Sequence, residues 1–346
     1  EVERMISERR HAILGLIIEH YLRTGEPIGS KTLCQLLPYS ISSATIRNEM
    51  AYLTQLGFLE QRHTSGGRVP SKASYRYYVD NIMQEKPISK YETDKINEAL
   101  SVNSGDPERL LADACKLLEE YSHCAAFCAT LEDPYDCIQG VDLIPAGNQK
   151  AMLVMLTVGS KIKSSLINMP CALDEDFRKK FYEVSAKFLT GTPLTNVNLA
   201  LIQSAVGVAG ERIFDMLPAL TSLCALCNEA SHSKLTLEGE TNLLSHSELG
   251  SDLYKILGLL TEKKQLMELS KSFANSNSKQ LLLIGDENPI YEMKNTSSVI
   301  AKYNYEGGQK AVLGVIGSMR IDYESILPRI NYIINTVDTL LSKKGA

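Results

Sequence analysis

The sequence predicts an α+β protein of several domains, with a small helical domain at its N-terminus. Three helical patterns followed by a glycine-containing hairpin occupy the first 70 residues. After residue 105, apolar strand patterns alternate with helical patterns, and this alternation is interrupted and later resumes. A chain of 346 residues is long enough for two or three such domains.

Composition limits the class of protein. Hydrophobic residues make up 44% and charged residues 22% of the chain, which is ordinary for a globular protein. No apolar run approaches the roughly 20 residues that span a bilayer, and the start EVERMISERR lacks the apolar core of a signal peptide. Eight cysteines without a regular spacing fit reduced thiols, so we expect a cytoplasmic protein.

The first domain begins with three predicted helices. Ser7 caps the first, and residues 24–27 end it. The second covers about 29–36. The third starts at Ser42 or Ser43 and ends before Gly57, which is suited to a positive φ. Apolar positions predict the buried faces of the first and third helices: Ile13, Leu16, Ile17 and Tyr21, then Ile46, Met50 and Leu53.

The other side of the third helix is small and polar, with Arg47 as its single charge. A helix that enters the major groove needs short side chains and one or two donors for base edges. A strand at 58–61, a turn at 65–67 and a strand at 68–70 follow, as in a wing. We therefore predict a winged helix-turn-helix domain in residues 1–86.

An ordinary surface helix and hairpin is the alternative. Charge favours DNA, because residues 47–76 hold five Lys/Arg against two acids in a chain of net charge -5. Four residues of the third helix are expected nearest the bases or adjacent phosphates: Ser43, Thr45, Arg47 and Asn48. Four at or after the hairpin are expected to contact DNA at the wing: Arg62, His63, Arg68 and Lys72.

The rest of the chain predicts one α+β domain that is interrupted by another. A helix at 108–121 and a strand at 124–130 begin it, and a strand at 234–239 resumes it. A helix through Ile256 and Leu269, three further strands and a closing helix at 323–341 complete it. We place this domain in 105–134 and 233–346. The inserted domain, 135–232, contains three strand patterns and then helices.

Residues for catalysis or metal binding are sparse. Cys224, Cys227 and His232 suggest a metal or redox site, but they lie in an apolar helical run without a second ligand pair. Buried thiols that act as small hydrophobic groups are the favoured interpretation, also for Cys124 and Cys128. We predict no enzyme, no metal and no cofactor; a cysteine-dependent enzyme is the outside alternative.

Seven runs closely resemble the heat-inducible transcription repressors of the HrcA family. They are GEPIGSKTL (25–33), SSATIRNEM (42–50), LGFLEQRHTSGGRVP (56–70), YRYYVD (75–80), GETNLL (239–244), IGDENP (284–289) and LGVIGSMRIDY (313–323). The resemblance spans nearly the whole chain and is loosest over 135–230. Departures from the family pattern include Gly66 in place of alanine, Ala-Ser at 73–74, and Ser-Met-Arg-Ile at 318–321 in place of Pro-Thr-Arg-Met.

The resemblance implies a bacterial repressor that binds double-stranded, inverted-repeat operator DNA ahead of chaperone operons as a homodimer. It also implies dependence on the GroEL chaperonin. The family architecture is a winged helix, a GAF-like α/β domain and a dimerisation domain inserted into it, and our interrupted α+β domain agrees with that plan. The alternative function is a ligand-sensing regulator with the same DNA-binding end and a small-molecule pocket in the GAF-like domain.

Overall fold

The computed structural model describes residues 7–61, 67–147, 149–305 and 309–342. Its first part, the N-terminal unit, contains three helices, a two-stranded antiparallel sheet and a fourth helix: α1 (Glu8–Thr24), α2 (Ser30–Leu36), α3 (Ser43–Gln55), β1 (Leu59–Glu60), β2 (Val69–Pro70) and α4 (Lys72–Asn81). Gly25, with φ 73°, ends α1, and Gly57 adopts φ 82° after α3. The first three helices and both strands lie where the sequence predicts them.

Two helices and a strand follow: α5 (Lys90–Val102), α6 (Pro107–Ser122) and β3 (Ala125–Thr130). Helix α5 begins within a polar stretch, ISKYETDK (88–95). A capping box explains its start, because Ser89 accepts from the amide of Glu92 and the Glu92 carboxylate accepts from the amide of Ser89.

The chain then builds a separate region, the three-stranded unit. Its elements are β4 (Ile138–Pro145), β5 (Lys150–Thr157), β6 (Ile162–Asn168), α7 (Glu175–Val184), α8 (Leu199–Ala209) and α9 (Ile213–Ser231). The strands form an antiparallel sheet in the order β4-β5-β6, and α9 packs against β5 and β6. The three strand patterns and the helical run after them are confirmed.

The remaining elements complete the five-stranded unit together with α5, α6 and β3. They are β7 (Lys234–Glu238), α10 (Asp252–Glu262), α11 (Lys264–Ala274), β8 (Gln280–Ile284), β9 (Thr296–Tyr305), β10 (Gln309–Ser318) and α12 (Tyr323–Ser342). The antiparallel sheet has the order β7-β3-β10-β9-β8. Strand β3 pairs with β7, so the sheet is interrupted by the three-stranded unit and resumes after it.

One prediction in this region is wrong. The sequence suggested a single helix through Ile256 and Leu269, whereas α10 and α11 are separated at Lys263. Lys263 adopts φ 61°, a left-handed conformation that ends α10, and its amide donates to the carbonyl of Leu259. The apolar pattern continues across this break because both helices cover the same face of the sheet.

Alternation along β3 shows how the sheet is covered on both faces. Ala126 and Cys128 belong to the apolar core that includes residues of α6 and α12, whereas Phe127 and Ala129 belong to the core formed with α10 and α11. The first of these cores continues without interruption into the N-terminal unit. The three-stranded unit has a core of its own, around Phe177 and Phe181.

Candidate nucleic-acid interface

The N-terminus of α3 is built by a serine cap. Ser42 has extended backbone geometry, and its hydroxyl oxygen accepts from the amide of Thr45 at 3.1 Å. The two hydroxyl oxygens of Ser42 and Thr45 also lie 2.8 Å apart. Ser43 and Thr45 are half-buried, so part of each remains open at this end of the helix.

The two sides of α3 match the sequence periodicity. Ile46, Met50 and Leu53 are buried, and the opposite side is exposed. The exposed residues are Ala44, Arg47, Asn48, Ala51 and Gln55. Two donors, a guanidinium and a side-chain amide, thus stand next to each other between two alanines. This is the surface chemistry that close approach to base edges requires.

Glu49 is the residue of this helix whose role the sequence analysis missed. It is buried between Arg9 and Arg10 of α1, and its carboxylate accepts from Arg9 and, at 2.7 Å, from the Nε of Arg10. Burial by itself would raise the pKa of Glu49, but the hydrogen bonds from the two arginines outweigh it and lower that pKa. Arg10 also lies over the ring of Tyr52 at 3.9 Å.

These contacts fix α3 against α1. A signal for them was present in the sequence: Glu49 follows Ile46 by three residues and so lies on the buried side, where a carboxylate requires a cation.

The hairpin is joined to the segment before α2. Arg68 and Ile28 exchange both backbone hydrogen bonds, at 3.0 and 3.2 Å. A Cβ at Gly67 would lie 2.4 Å from the carbonyl oxygen of Ile28, so this close approach requires glycine. Arg68 is half-buried. The other predicted wing contacts, Arg62 and His63, lie outside the described residues.

Lys72 and Arg76, both counted in the basic cluster, contact the five-stranded unit. The ammonium of Lys72 lies 2.9 Å from the Asp286 carboxylate, and the Nε of Arg76 donates to Glu287 at 2.8 Å. Arg76 also donates to the carbonyl of Leu282 at 2.7 Å. The local excess of positive charge that suggested phosphate contact is therefore partly neutralised by carboxylates more than 200 positions away in the sequence.

The cysteines noted in the sequence lie mostly in apolar surroundings. Cys227 is fully buried in the three-stranded unit, with its sulfur 3.4 Å from that of Met155, and burial raises its pKa to about 12. Burial also raises the pKa of Cys128 to about 12. His123, the residue before Cys124, ends α6 with φ 51°. Within the described ranges, no group of three or more His, Cys, Asp or Glu side chains is placed to hold a metal ion.

Among the described helices, none is long and apolar enough to cross a membrane. A cleft of about 520 Å³ lies between the five-stranded and three-stranded units. Two of its three lysines are engaged by protein groups: Lys161 by Asp136 and the carbonyl of Ala230, and Lys163 by Glu108 and Glu229.

Comparison with known proteins identifies the family. Residues 108–327 match the model of the HrcA protein C terminal domain. A heat-inducible transcription repressor HrcA from Lachnoclostridium phytofermentans is 31% identical over 343 residues, which cover 98% of each chain. The same repressor from Acetivibrio thermocellus is 30% identical over 330 residues, covering 95% of this chain and 94% of the relative.

The fold has a counterpart among solved structures. A crystal structure described as that of a hypothetical protein superposes with a TM-score of 0.73 and covers 98% of this chain and 99% of its own, at 21% sequence identity. This likeness concerns the fold alone. The sequence relatives, together with the matched family model, show that the chain belongs to the HrcA family of heat-inducible transcription repressors.

Proposed function

We propose that this chain is a sequence-specific repressor that binds an inverted-repeat operator ahead of chaperone operons as a homodimer. In this proposal the N-terminal unit is a winged helix domain, the five-stranded unit is the GAF-like domain and the three-stranded unit is the inserted dimerisation domain. The observation that carries it is the exposed side of α3, where Arg47 and Asn48 stand between alanines. Family membership supports the same assignment.

The proposed base contacts lie at the N-terminal end of α3. Arginine binds guanine through two donors, and asparagine binds adenine through its amide, each good pair contributing roughly 1–3 kcal/mol of discrimination. Asn48→Ala is therefore expected to weaken operator binding while leaving binding to scrambled DNA unchanged. Gln55→Ala is the matched control, because Gln55 is equally exposed on the same side but lies at the other end of α3.

The operator is found by selecting bound duplexes from a random library and by footprinting chaperone promoters of the source organism. Equal losses for Asn48→Ala and Gln55→Ala on the selected duplex would contradict base recognition by the N-terminal end of α3. A library that yields no inverted repeat would contradict the proposed function itself.

The proposed backbone contacts are Arg68 and Lys72, with Arg62 and His63. For Lys72 the proposal requires that its ion pair with Asp286 open or be shared with a phosphate. A phosphate contact predicts that Lys72→Ala weakens binding to operator and scrambled DNA equally and lowers the salt slope by about one per contact removed. An unchanged salt slope would restrict Lys72 to the contact with Asp286.

For dimerisation, the proposal relies on the outer face of the three-stranded sheet. Ile144 pairs with Met152, and Met152 pairs with Leu166, so the three side chains form one row across the strands. They are 48%, 42% and 59% exposed, and Leu156 and Ile162 form another apolar cross-strand pair on the same face, beyond the row of Asp142, Val154 and Ser164. An exposed apolar row of this kind is typical of a subunit interface, and a second copy would satisfy the two-fold operator.

A charge in the middle of that row tests the interface. Met152→Lys is expected to cost about 2 kcal/mol or more of dimer free energy, because an ammonium would be buried without a partner. Val102→Lys is the control, since Val102 is an exposed apolar residue of α5 outside this surface. Sedimentation should show a monomer for the first variant only; a wild-type monomer at micromolar concentration, with or without DNA, would remove the basis for the interface.

The remaining part of the proposal is modulation by the GroEL chaperonin, which rests on family membership. A chain whose β3 and β7 pair only after an entire inserted unit has been made is prone to misassembly during folding. Refolding with GroEL is expected to raise the fraction of chains that bind operator. Equal active fractions with and without it would count against this part.

A further inference from the structure

Arg320, in the turn that follows β10, reaches from the five-stranded unit to the C-terminus of α1. Its Nε donates to the carbonyl of Tyr21 at 3.2 Å and its Nη2 to the carbonyl of Leu22 at 3.3 Å. The C-terminus of a helix carries the negative end of its dipole, so a guanidinium there is favourable. The Tyr21 carbonyl also accepts from the amide of Gly25 at 2.9 Å, and Arg320 lies 5.4 Å from the centre of the Tyr21 ring.

The position of Arg320 is itself fixed. Its Nη1 lies 3.3 Å from the Glu248 carboxylate, and Glu248 lies 3.4 Å from the Nδ1 of His246. The side chain of Arg320 is 20% exposed. Gly25 has a positive φ, and a Cβ there would lie 2.7 Å from the Nη1 of Arg320, so the guanidinium occupies the space that a side chain would need. The guanidinium of Arg320 is therefore held by Glu248 on the five-stranded unit and packs closely against Gly25 on the N-terminal unit.

From α1 the contacts continue to the exposed surface of α3. Arg9 and Arg10 lie at the other end of α1 and hold the buried Glu49, which neighbours Asn48. Arg320 binds main-chain atoms of α1, so it holds the helix itself and does not depend on one side chain of the N-terminal unit. Displacing the C-terminus of α1 would tilt α3 with it, because a packed helix moves as a rigid element.

We propose that Arg320 is a positioning residue for operator binding: it sets the orientation of the N-terminal unit on the five-stranded unit, and thereby the spacing and angle of the two α3 helices in the dimer. This inference rests on the proposed function, since it assumes a dimer on an inverted repeat. Arg320 makes no contact with DNA in this account. Its effect is on binding to the second half-site, because the spacing of the two α3 helices decides whether the second one can enter the major groove there.

Arg320→Lys tests the proposal, because lysine keeps the charge but lacks the planar fork that joins two carbonyls and Glu248. Three duplexes serve as probes: the selected inverted repeat, the same repeat with one arm scrambled, and the repeat with five base pairs inserted between its arms. We expect the variant to bind the repeat about tenfold more weakly, since a smaller fraction of dimers has both α3 helices in place. Its affinity for the single-arm duplex should equal that of the wild type.

The inserted base pairs add a readout that loss of stability alone does not change. Half a helical turn places the arms on opposite faces of the duplex, so the wild-type protein should lose most of its affinity. A dimer whose N-terminal units are held less firmly in one orientation should lose about tenfold less affinity. Glu248→Gln removes the charge that holds Arg320 and should produce the same pattern in weaker form. It also keeps the test open if Arg320→Lys folds poorly.

Arg329→Lys is the matched control. Arg329 lies in α12, bonds the Glu92 carboxylate at 2.7 and 2.9 Å and the carbonyl of Ser325 at 2.6 Å, and is buried to a similar degree, but it holds α5. The inference would be overturned if Arg320→Lys and Glu248→Gln bound all three duplexes with wild-type affinity. It would also be overturned if both variants lost the same affinity for all three duplexes. A wild-type protein that does not prefer the repeat over the single-arm duplex would instead contradict the proposed function.

Discussion

The five-stranded unit meets its two neighbours in different ways. Toward the N-terminal unit, one continuous apolar core runs from Ile13 of α1 through Tyr78 of α4 to Tyr323 of α12. Toward the three-stranded unit, the chain crosses at 131–137 and 231–234, and Lys163 of β6 joins Glu108 of α6 at 3.0 Å. The core of the three-stranded unit is separate.

The difference indicates where the molecule is stiff. Close-packed apolar side chains transmit displacement, so the N-terminal and five-stranded units behave as one body. An ion pair between partly exposed groups contributes little free energy and yields easily. In the proposed dimer, adjustment of the two N-terminal units is therefore expected at the boundary of the three-stranded unit, whereas the proposed role of Arg320 is to preserve the geometry at the other boundary.

The largest effects on stability are expected from removing a buried ring from each of two cores, the one shared by the N-terminal and five-stranded units and the one in the three-stranded unit. Tyr78→Ala and Phe181→Ala should each lower the free energy of unfolding by about 3–5 kcal/mol, because both rings are fully buried. Tyr78→Ala should destabilise the N-terminal and five-stranded units together, and Phe181→Ala the three-stranded unit alone. Hydrogen exchange along the chain measures both; protection lost only in 7–83 for Tyr78→Ala would show that the shared core is not cooperative.

Acid should weaken the boundary with the N-terminal unit. Burial alone would raise the pKa of Glu248, but hydrogen bonds from His246 and Ser318 and the charge of Arg320 lower it to about 2. A lowered carboxylate pKa stabilises the fold above the unfolded value near 4.5, and this contribution is lost as pH falls toward 2. Hydrogen bonds with Arg76 and the amide of Ile284 likewise outweigh burial and lower the pKa of Glu287.

Glu19 acts in the opposite sense, because burial and neighbouring Glu324 raise its pKa.

For Glu248→Gln we expect the free energy of unfolding to fall by an amount on the order of 1–2 kcal/mol at pH 7, after allowance for solvent screening. This loss should shrink as the pH approaches 2. Urea unfolding at several pH values measures this. A loss that stays constant over that range would show that the charge of Glu248 is not the cause.

The smallest effect on stability is expected at the boundary between the five-stranded and three-stranded units. Glu108→Gln removes one partner of Lys163, and Glu229 remains, so the free energy of unfolding should fall by less than about 1 kcal/mol. Small-angle scattering should nevertheless show a wider distribution of shapes in the dimer. An unchanged distribution would place the flexible point elsewhere.

Local patterns were sufficient for much of the fold. The period of Ile46, Met50 and Leu53 set both sides of α3, and Ser7 and Ser42 marked helix starts that the structure contains. The return of strand pattern at 234 predicted the interrupted sheet, because β7 needs β3 as a neighbour. Each of these depends on residues close in sequence or on a simple count of strands.

The candidate site was less accessible to such reasoning. Lys72 and Arg76 looked like free cations because Asp286 and Glu287 are distant in sequence, and no local pattern brings them together. The break at Lys263 was missed for a different reason: a non-glycine residue with positive φ leaves the apolar period intact. The burial of Glu49 could have been predicted from the sequence, since its position in the helical period already places it on the buried side of α3.

Thr130 and Lys234 are register partners in adjacent antiparallel strands, so the chain enters and leaves the three-stranded unit at neighbouring points. In topological terms β3 and β7 form a hairpin whose loop is an entire folded unit. Closure entropy grows only with the logarithm of loop length, and a prefolded loop with adjacent ends adds little to it. Replacing 131–233 by a short turn should therefore leave a five-stranded sheet that folds and, if the proposed dimer interface is correct, carries a single N-terminal unit.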